Sequence, residues 1–255
     1  MAYTTEGIRN LALVGHAGSG KTTLAESLLL DAGVINEAGV VEKGSTVTDF
    51  DELEQKHHHS LTAALASYDY RDTHINLIDT PGYPDFVGPT LSVLGAVETI
   101  AIVVNAQNGV ESSTRRMMEA VKQRNLCAMI VVNRIDAEDV DLEAVYAQIQ
   151  ESFGSECLAV NLPTSNGSDV VDCFFGTEGE SDISSVEDAH IAIVDQTVEL
   201  DDDLMIAYLD QGEVAPEQLH DPFEQAMRER HVVPDCFVSS QTDSRAWCHT
   251  CVSRQ

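Results

Sequence analysis

A glycine-rich stretch near the start of the chain contains the residue types that bind phosphate groups. Residues 15–22 read GHAGSGKT and match G-x-x-x-x-G-K-[ST], directly after the apolar run LALV and before the helix-like run TTLAESLLL. Glycines let backbone amides converge on a polyphosphate, Lys21 would neutralise β- and γ-phosphate charge, and Thr22 would ligate Mg²⁺. The alternative is a glycine-rich turn that caps an ordinary helix. The predicted phosphate-binding residues are Gly15, His16, Ala17, Gly18, Ser19, Gly20, Lys21, Thr22 and Thr23.

A second polar stretch, LIDTPGYPDF at residues 77–86, begins as a strand and breaks at a Pro-Gly turn. Asp79 would end that strand and hold Mg²⁺ through a water molecule. Gly82 completes the pattern D-x-x-G, and its mobile backbone amide would meet a γ-phosphate. Asp-Thr-Pro-Gly is also a good sequence for a plain turn, so this interpretation depends on the phosphate loop that precedes it.

A third motif, Asn133-Arg134-Ile135-Asp136, follows the apolar run AMIVV and would select the base. The Asp136 carboxylate would accept two hydrogen bonds from the N1–H and the exocyclic amine of guanine, whereas adenine lacks that pair of donors. Asn133 would bridge the base and the phosphate loop, and the stem of Arg134 would lie over the ring. An ATP-using phosphate-loop enzyme or kinase is the alternative if this interpretation of Asp136 fails.

The elements that must position these motifs alternate between strand and helix over the first 160 residues. Helical patterns follow Lys21, Pro89, Ser112 and Asp141, with apolar residues at three-to-four spacing. This alternation predicts an α/β fold with a mostly parallel sheet covered by helices on both faces, whose ligand sites lie beyond the carboxyl ends of the strands. The predicted strands are Ile8–Val14, Leu65–Tyr70, Ile75–Ile78, Ile100–Asn105, Ala128–Asn133, Leu158–Leu162 and Pro234–Val238.

The character of the sequence changes after residue 160. Residues 161–232 are strongly acidic, contain the turn clusters SNGSD and GTEGESD, and end in a helical stretch over Pro216–Arg230. We expect a small α+β subdomain inserted into a domain formed by residues 1–160 and 233–241. Residues 242–255 change composition again and predict an atypical, disordered or frame-altered tail.

The composition limits the kinds of partner. The chain has 43 acidic and 14 basic residues and a formal net charge of -29, which disfavours direct binding to nucleic-acid phosphates, including sequence-specific DNA. Neither a signal peptide nor the ~20-residue apolar run of a membrane span is recognisable in the sequence. The scattered cysteines indicate reduced thiols and a cytoplasmic protein. Cys248 and Cys251 have the spacing of half a zinc site, without a second pair.

With the three motifs in this order, the chain resembles the GTP-binding domain of translational GTPases, above all elongation factor G and its elongation-factor-G-like paralogues. The likeness runs from about residue 7 to about residue 241 and includes TVTDFDELEQKHHHSLTA, where the family has its first switch. FVSSQ at residues 237–241 resembles the final base-contacting loop, around Ser239 and Ser240. The resemblance implies hydrolysis of GTP to GDP with ribosome stimulation, through the stalk proteins and GTPase centre of the large subunit. It implies Mg²⁺ held by Thr22, Ser60 and Asp79, and catalysis by Lys21, Gly82 and Tyr83.

The sequence departs from the family's pattern at several of these positions. Tyr83 stands where the family usually has the histidine that positions the attacking water, and Gly18 replaces an aspartate of the phosphate loop. The usual Arg-Gly-Ile-Thr of the first switch is His57-His58-His59-Ser60, and the usual lysine of the guanine motif is Arg134. A mobile switch loop explains the histidine run better than a metal site, because adjacent side chains of an extended loop point to opposite sides.

The largest departure is length, because elongation factor G continues for several further domains. By analogy the chain is a GTPase domain truncated after the last guanine-binding loop and lacking the domains needed for translocation. The alternative is a guanine-nucleotide-binding or ribosome-stalk-binding fragment without useful hydrolysis. Tetracycline-resistance ribosomal protection proteins and class II release factors share the same motifs.

Overall fold

A computed structural model describes residues 3–57, 59–211 and 214–240. These residues form a seven-stranded sheet with the order β2-β3-β1-β4-β5-β9-β6 and a separate two-stranded sheet, β7-β8. Only β2 and β3 pair antiparallel in the larger sheet, and its other strand pairs are parallel. The strands are β1 Ile8–Gly15, β2 Ala64–Tyr70, β3 Thr73–Asp79, β4 Thr99–Asn105, β5 Cys127–Asn133, β6 Cys157–Ala159, β7 Asn161–Thr164, β8 Asp169–Asp172 and β9 Val233–Val238.

The helices begin and end at residues that suit those positions. Asp141 caps α5 by accepting a hydrogen bond from the Ala144 N–H, and α4 ends at Asn125 in the left-handed conformation. One helix begins earlier than predicted: α3 starts at Val87, and Pro89 lies in its first turn, where proline is tolerated. The α-helices are α1 Lys21–Asp31, α2 Glu52–His57, α3 Val87–Val93, α4 Ser112–Arg124, α5 Leu142–Phe153, α6 Val186–Val198, α7 Asp202–Gln211 and α8 Pro216–Glu229.

Helices cover the central strands on both faces. Successive side chains of a strand point to opposite faces, yet every residue of β4 and β9 is buried, as are all residues of β5 after Cys127. A strand buried on both sides reads as a continuous apolar run, which is why AIVV and MIVV were recognisable in the sequence. The predicted mostly parallel α/β sheet is therefore confirmed.

The strand register brings the ends of the polar motifs to one edge of the sheet. Leu13 in β1 lies opposite Asp79 at the end of β3, and Asn105 at the end of β4 lies opposite Asn133 at the end of β5. β9 continues this edge, since Val238 pairs with Asn133. The carboxyl ends of neighbouring parallel strands thus lie side by side, as a ligand site in such a sheet requires.

The predicted strand over Leu158–Leu162 is wrong. The chain changes partner at Val160, whose N–H donates to Asp235 O (3.0 Å) while its carbonyl accepts from Cys173 N (3.1 Å). As a result β6 joins the large sheet beside β9, and β7 pairs with β8, a strand that the sequence did not indicate. An apolar run specifies burial but not the partner, so the break could not be read locally.

Residues 161–232 contribute to the same hydrophobic core as the large sheet. Val194 of α6 and the α8 residues Phe223 and Met227 are buried in a cluster that is continuous with the side chains of the sheet. The predicted helix over Pro216–Arg230 is present as α8, which ends where Arg230 adopts a φ of 65°. The boundaries of an inserted subdomain therefore stay a prediction.

Several expectations fall on residues outside the described ranges. Gln241, the tail over 242–255, and with it Cys248 and Cys251, lie beyond them, as do His58 and the side chain of His57. Among the helices that the structure does describe, none combines the length and apolarity needed to cross a membrane.

Candidate functional site

The phosphate loop connects β1 to α1 and is tightly enclosed by other parts of the site. Gly20 has a φ of 90°, and a Cβ there would lie 2.3 Å from Asn133 Nδ2. A Cβ on Gly82 would lie 2.4 Å from Lys21 Nζ and 2.6 Å from Ala17 N. Both positions therefore require glycine, the first for conformation and space and the second for space alone. The segment after β3 thus approaches the phosphate loop with backbone against backbone.

The Lys21 side chain is buried at the centre of the loop. Its Nζ donates to the carbonyl oxygens of Gly15 (3.1 Å) and His16 (2.9 Å). Burial lowers the pKa of Lys21 to about 8, against the opposing effect of the carboxylates of Asp79 and Glu111. An ammonium group in this position gains strongly from an anion, because its present partners are neutral carbonyls.

Oxygen-bearing side chains converge next to the first turn of α1. Thr22 Oγ1 donates to Asp79 Oδ2 (2.6 Å) and lies 3.4 Å from Ser60 Oγ. Ser60 in turn donates to Asp49 Oδ1 (2.7 Å), and Thr48 Oγ1 lies 3.3 Å from Asp79 Oδ2. We call these five residues the oxygen cluster. They come from α1, β3 and the segment between α1 and β2.

The oxygen cluster has the chemistry of a divalent-cation site. Asp79 is only 1% exposed, and its Oδ1 has no hydrogen-bond partner within the described ranges. Burial raises the pKa of Asp79 to about 6, although Lys21 opposes that shift, and the nearby Asp49 carboxylate raises it further. A buried carboxylate oxygen without a donor, beside hydroxyl groups and a second carboxylate, fits Mg²⁺, which prefers oxygen ligands. Thr22, Ser60 and Asp79, the Mg²⁺ ligands that the family resemblance implies, are three of the five residues of this cluster.

Asp49 is a site residue that the sequence analysis did not identify. It lies in TVTDFDELE, where Asp49 and Asp51 are two residues apart and nothing local distinguishes them. In the structure Asp49 is 2% exposed and accepts from Thr46 and Ser60, whereas Asp51 is exposed. The pattern Thr-x-x-Asp gives no signal either, because Thr46 precedes Asp49 and Thr48 precedes Asp51 by the same three residues.

Tyr83 lines a cavity next to the phosphate loop, which we call the phosphate cavity. The cavity has a volume of ≈ 220 Å³, and its walls include Lys21, Thr22, Ser60 and Tyr83. The Tyr83 side chain is 44% exposed, and its ring packs against the His59 ring with centroids 4.7 Å apart. The Tyr83 side chain is therefore accessible in the same cavity that Thr22, Asp49 and Ser60 of the oxygen cluster line.

Asn133 ties the phosphate loop to the loop after β9. Its Nδ2 donates to Ser19 O (3.0 Å), and its Oδ1 accepts from the N–H groups of Arg134 (2.9 Å) and Ser240 (3.1 Å). Ser27 Oγ in α1 donates to Ser240 O (2.6 Å), so the backbone of Ser240 is held on both sides. Asn133 therefore joins the phosphate loop to the loop after β9, and its contact with a base stays a prediction.

The other predicted base-contacting residues differ in exposure. Ser239 and Ser240 are buried, whereas Arg134 and Asp136 are exposed. Arg134 lines the phosphate cavity together with Gly20. Asp136 instead lines a different, open hollow with Asn166 and Asp182. The structure thus brings the phosphate loop, Ser60, Tyr83 and Arg134 to one cavity. Asp79 does not line this cavity but bonds to Thr22, which does, and Asp136 lines a different hollow.

Comparison with known proteins shows that the chain is similar to GTP-binding domains. Residues 6–247 match the family model described as elongation factor Tu GTP binding domain. An elongation factor G-like protein of Mycobacterium tuberculosis is 32% identical over 249 residues, which cover 92% of this chain and 35% of that protein. A tetracycline resistance protein, TetW, of Butyrivibrio fibrisolvens is 28% identical over 227 residues, 89% of this chain and 33% of that protein.

A solved structure has the same fold. A crystal structure of a protein from Thermus thermophilus superposes with a TM-score of 0.87 at 29% identity, covering 98% of this chain and 40% of that one. The chain thus spans roughly a third of the length of the curated relatives named above. From its fold, its three motifs and the match over residues 6–247, this chain belongs to the family of elongation factor Tu GTP-binding domains.

Proposed function

We propose that this chain binds GTP with Mg²⁺ and hydrolyses it to GDP, as the GTP-binding domain of an elongation-factor-G-like translation factor. The observation that carries the proposal is the juxtaposition of a buried Lys21 ammonium with Asp79, whose Oδ1 lacks a hydrogen-bond partner among the described residues. Both groups lie at the sheet edge where phosphates bind in such folds. In the described part of the chain neither buried group directly contacts a full opposite charge, so both favour a charged ligand.

Phosphate binding falls to the loop and to Lys21. The backbone amides of residues 15–23 and the amino end of α1 hold the phosphates, and the Lys21 ammonium neutralises the β- and γ-phosphate charge. Thr22, Ser60 and Asp79 would hold Mg²⁺, which would neutralise phosphate charge. Asp49 supports this set by accepting the Ser60 hydrogen bond.

Hydrolysis requires a water molecule in line with the γ-phosphate. The Gly82 amide contacts the γ-phosphate, and the Tyr83 phenol positions the water through one hydrogen bond. A phenol does not become a cation near neutral pH, so Tyr83 orients water without supplying charge. Turnover of the isolated chain is accordingly slow, and the large ribosomal subunit, through its stalk proteins and GTPase centre, is the activating partner in the cytoplasm.

Guanine selection depends on the edge formed by β5 and β9. Asp136 accepts the N1–H and the exocyclic amine of guanine, and the stem of Arg134 lies over the ring. Ser239 and Ser240 lie on the loop that follows β9, and the backbone of Ser240 is held in place by Asn133 and Ser27. A rigid backbone at this edge supports selectivity because it cannot adjust to a base with the wrong donors.

The test is GTP turnover with and without ribosomes, measured for the wild-type chain and for Lys21→Ala. Lys122→Ala is the matched control, because Lys122 lies in α4 and bonds to Phe153 O and Glu156 outside the cavity. We expect slow turnover that ribosomes accelerate, loss of turnover in Lys21→Ala, and no change in Lys122→Ala. Equal turnover by Lys21→Ala and wild type would refute the proposal.

A second candidate function is guanine-nucleotide binding, or docking to the ribosomal stalk, without useful hydrolysis. It is favoured by Tyr83 in place of a histidine and by its packing against His59. A stable GDP complex combined with zero ribosome-stimulated turnover would select this function.

A further inference from the structure

Glu26 is a fully buried carboxylate in α1 that plays no part in the proposed phosphate or base contacts. It lies one turn after Thr22 and is 0% exposed. Its Oε2 accepts the N–H of Gly39 (2.8 Å), and its Oε1 accepts the N–H of Val47. A carboxylate removed from water needs such charge-assisted hydrogen bonds. Glu26 therefore holds two points of the chain that follows α1.

The segment between those two points closes tightly on itself. We call residues 39–47 the latched segment. Val40 N donates to Ser45 Oγ (2.9 Å), and Ser45 N donates to Val40 O (3.3 Å). A Cβ on Gly39 would lie 2.4 Å from Ser45 O and 2.6 Å from the Thr46 Cα, both backbone atoms. Gly39 is thus required for the loop to close, and closure puts both N–H groups within reach of one carboxylate.

The second contact point lies directly beside the oxygen cluster. Val47 is flanked by Thr46, whose Oγ1 donates to Asp49 Oδ2 (3.1 Å), and by Thr48, whose Oγ1 bonds to Asp79 Oδ2. Asp49 also accepts from Ser60. Fixing the backbone at Val47 therefore fixes the direction in which the side chains of Thr48 and Asp49 leave the backbone. These two side chains complete the oxygen cluster around Thr22 and Asp79.

We propose that Glu26 is a positioning residue that fixes the latched segment to α1 and so holds Thr48 and Asp49 at the cation site. Because α1 begins at the phosphate loop, the carboxylate links the two halves of the site through one rigid helix. Glu26 contacts neither phosphate nor cation in this arrangement. The consequence for nucleotide retention rests on the proposed function, whereas the ordering of the latched segment does not.

The ordering is tested without nucleotide by backbone hydrogen exchange of the latched segment in Glu26→Gln. The amide oxygen of glutamine replaces one acceptor, while its NH₂ group faces the second N–H, so one contact is lost. We expect exchange at least about tenfold faster around Gly39 and Val47. Glu151→Gln, an exposed change in α5, should leave the segment unaffected. Unchanged exchange in Glu26→Gln would overturn the proposal.

The link to the cation site is tested by GDP release with Mg²⁺ and with EDTA. In Mg²⁺ we expect release about tenfold faster for Glu26→Gln and for Gly39→Ala, and in EDTA the wild-type rate for both. Gly39→Ala breaks the same latch without altering Glu26, so it carries the test if Glu26→Gln fails to fold. Gly95→Ala, where a Cβ meets only Ser92 O at 3.8 Å, is the matched control.

Wild-type release in Mg²⁺, or equal acceleration in EDTA, would contradict a role at the cation site. A wild-type chain that binds no GDP refutes the proposed function alone, and the exchange experiment still decides the latch.

Discussion

The two ends of the nucleotide site are built in different ways. At the phosphate end, Lys21, Asp49 and Asp79 are buried, and their charged groups hydrogen-bond to neighbouring atoms of the protein. At the base end the buried groups, Asn133 and Ser240, contact neighbouring loops, while Asp136, which we propose selects the base, is exposed. In the proposed function, the phosphate end would therefore provide binding strength and the base end discrimination.

Burial explains why the phosphate end favours a charged ligand. It shifts the pKa of Lys21 downward and that of Asp79 upward, each toward its neutral form. A nucleotide with its cation would stabilise the charged forms of both. At the base end, Asp136 keeps its solvation until a base covers it, so the free energy at stake there is smaller.

Lys21→Ala should break the phosphate end with the largest effect. Truncating one member of a buried charge pair costs about 2–5 kcal/mol, so GDP affinity should fall by roughly 30-fold or more. Fluorescence titration with a labelled GDP measures the loss. Lys122→Ala should bind as wild type. Affinity retained in Lys21→Ala would mean that the loop amides alone carry phosphate binding.

Asp136→Asn should break the base end and spare the phosphate end. Hydrogen bonds to a charged group contribute about 1.5–3 kcal/mol, so GDP affinity should fall roughly 10- to 150-fold. Isothermal titration calorimetry measures this loss. Binding of inorganic pyrophosphate, which has no base, should be unchanged when it is measured in the same way. An equal loss for pyrophosphate would show that Asp136 supports the loop and does not read the base.

Asp235→Val should sharpen the contrast by stabilising the strand that carries the base end. Asp235 in β9 is completely buried, and within the described ranges neither carboxyl oxygen has a hydrogen-bond partner. Burial raises the pKa of the Asp235 carboxyl group well above its usual value. The contribution of this group to the free energy of unfolding of the wild-type protein therefore falls as pH rises above about 4. We expect the variant to be about 1–3 kcal/mol more stable at pH 8 by urea unfolding, with a smaller gain at pH 5. GDP affinity should not change in this variant. A destabilised variant would mean that the Asp235 carboxyl group makes a stabilising contact in the folded protein.

The pH dependence of GDP binding should report Lys21, with the smallest effect. Because the pKa of Lys21 is lowered to about 8, the empty site loses this proton as pH rises through that value. Phosphates bind the protonated form, so affinity should be level between about pH 7 and pH 8 and fall above that by up to about tenfold per pH unit. Titrations between pH 7 and pH 9 measure this step. Asp136→Asn must show the same step, since it keeps Lys21, and a flat profile in wild type would contradict the assignment.

The sequence predicted the site where local patterns and the rule for parallel sheets acted together. Gly15, Asp79 and Asn133 each end a strand, and neighbouring parallel strands end at one edge, so their convergence could be expected. The fold class followed from the same alternation of strand and helix. Little beyond strand order was needed to place these residues.

What the sequence did not predict depends on contacts between distant residues. Glu26 looks like an ordinary polar helix position, and its burial arises only when Gly39 and Val47 fold back onto α1. Asp49 and Asp51 are equivalent in local pattern, and the change of partner at Val160 depends on Asp235 and Cys173. Burial of a single polar residue and the choice of strand partner are both properties of tertiary structure.

The most direct test of the central claim is a calorimetric titration of the folded chain with GDP and Mg²⁺, repeated with ADP. The account predicts one site per chain that binds GDP at least about tenfold more tightly than ADP, because Asp136 pairs with both guanine donors. Absence of binding heat for GDP, or equal affinity for ADP, in a chain whose circular dichroism shows a folded protein would contradict it.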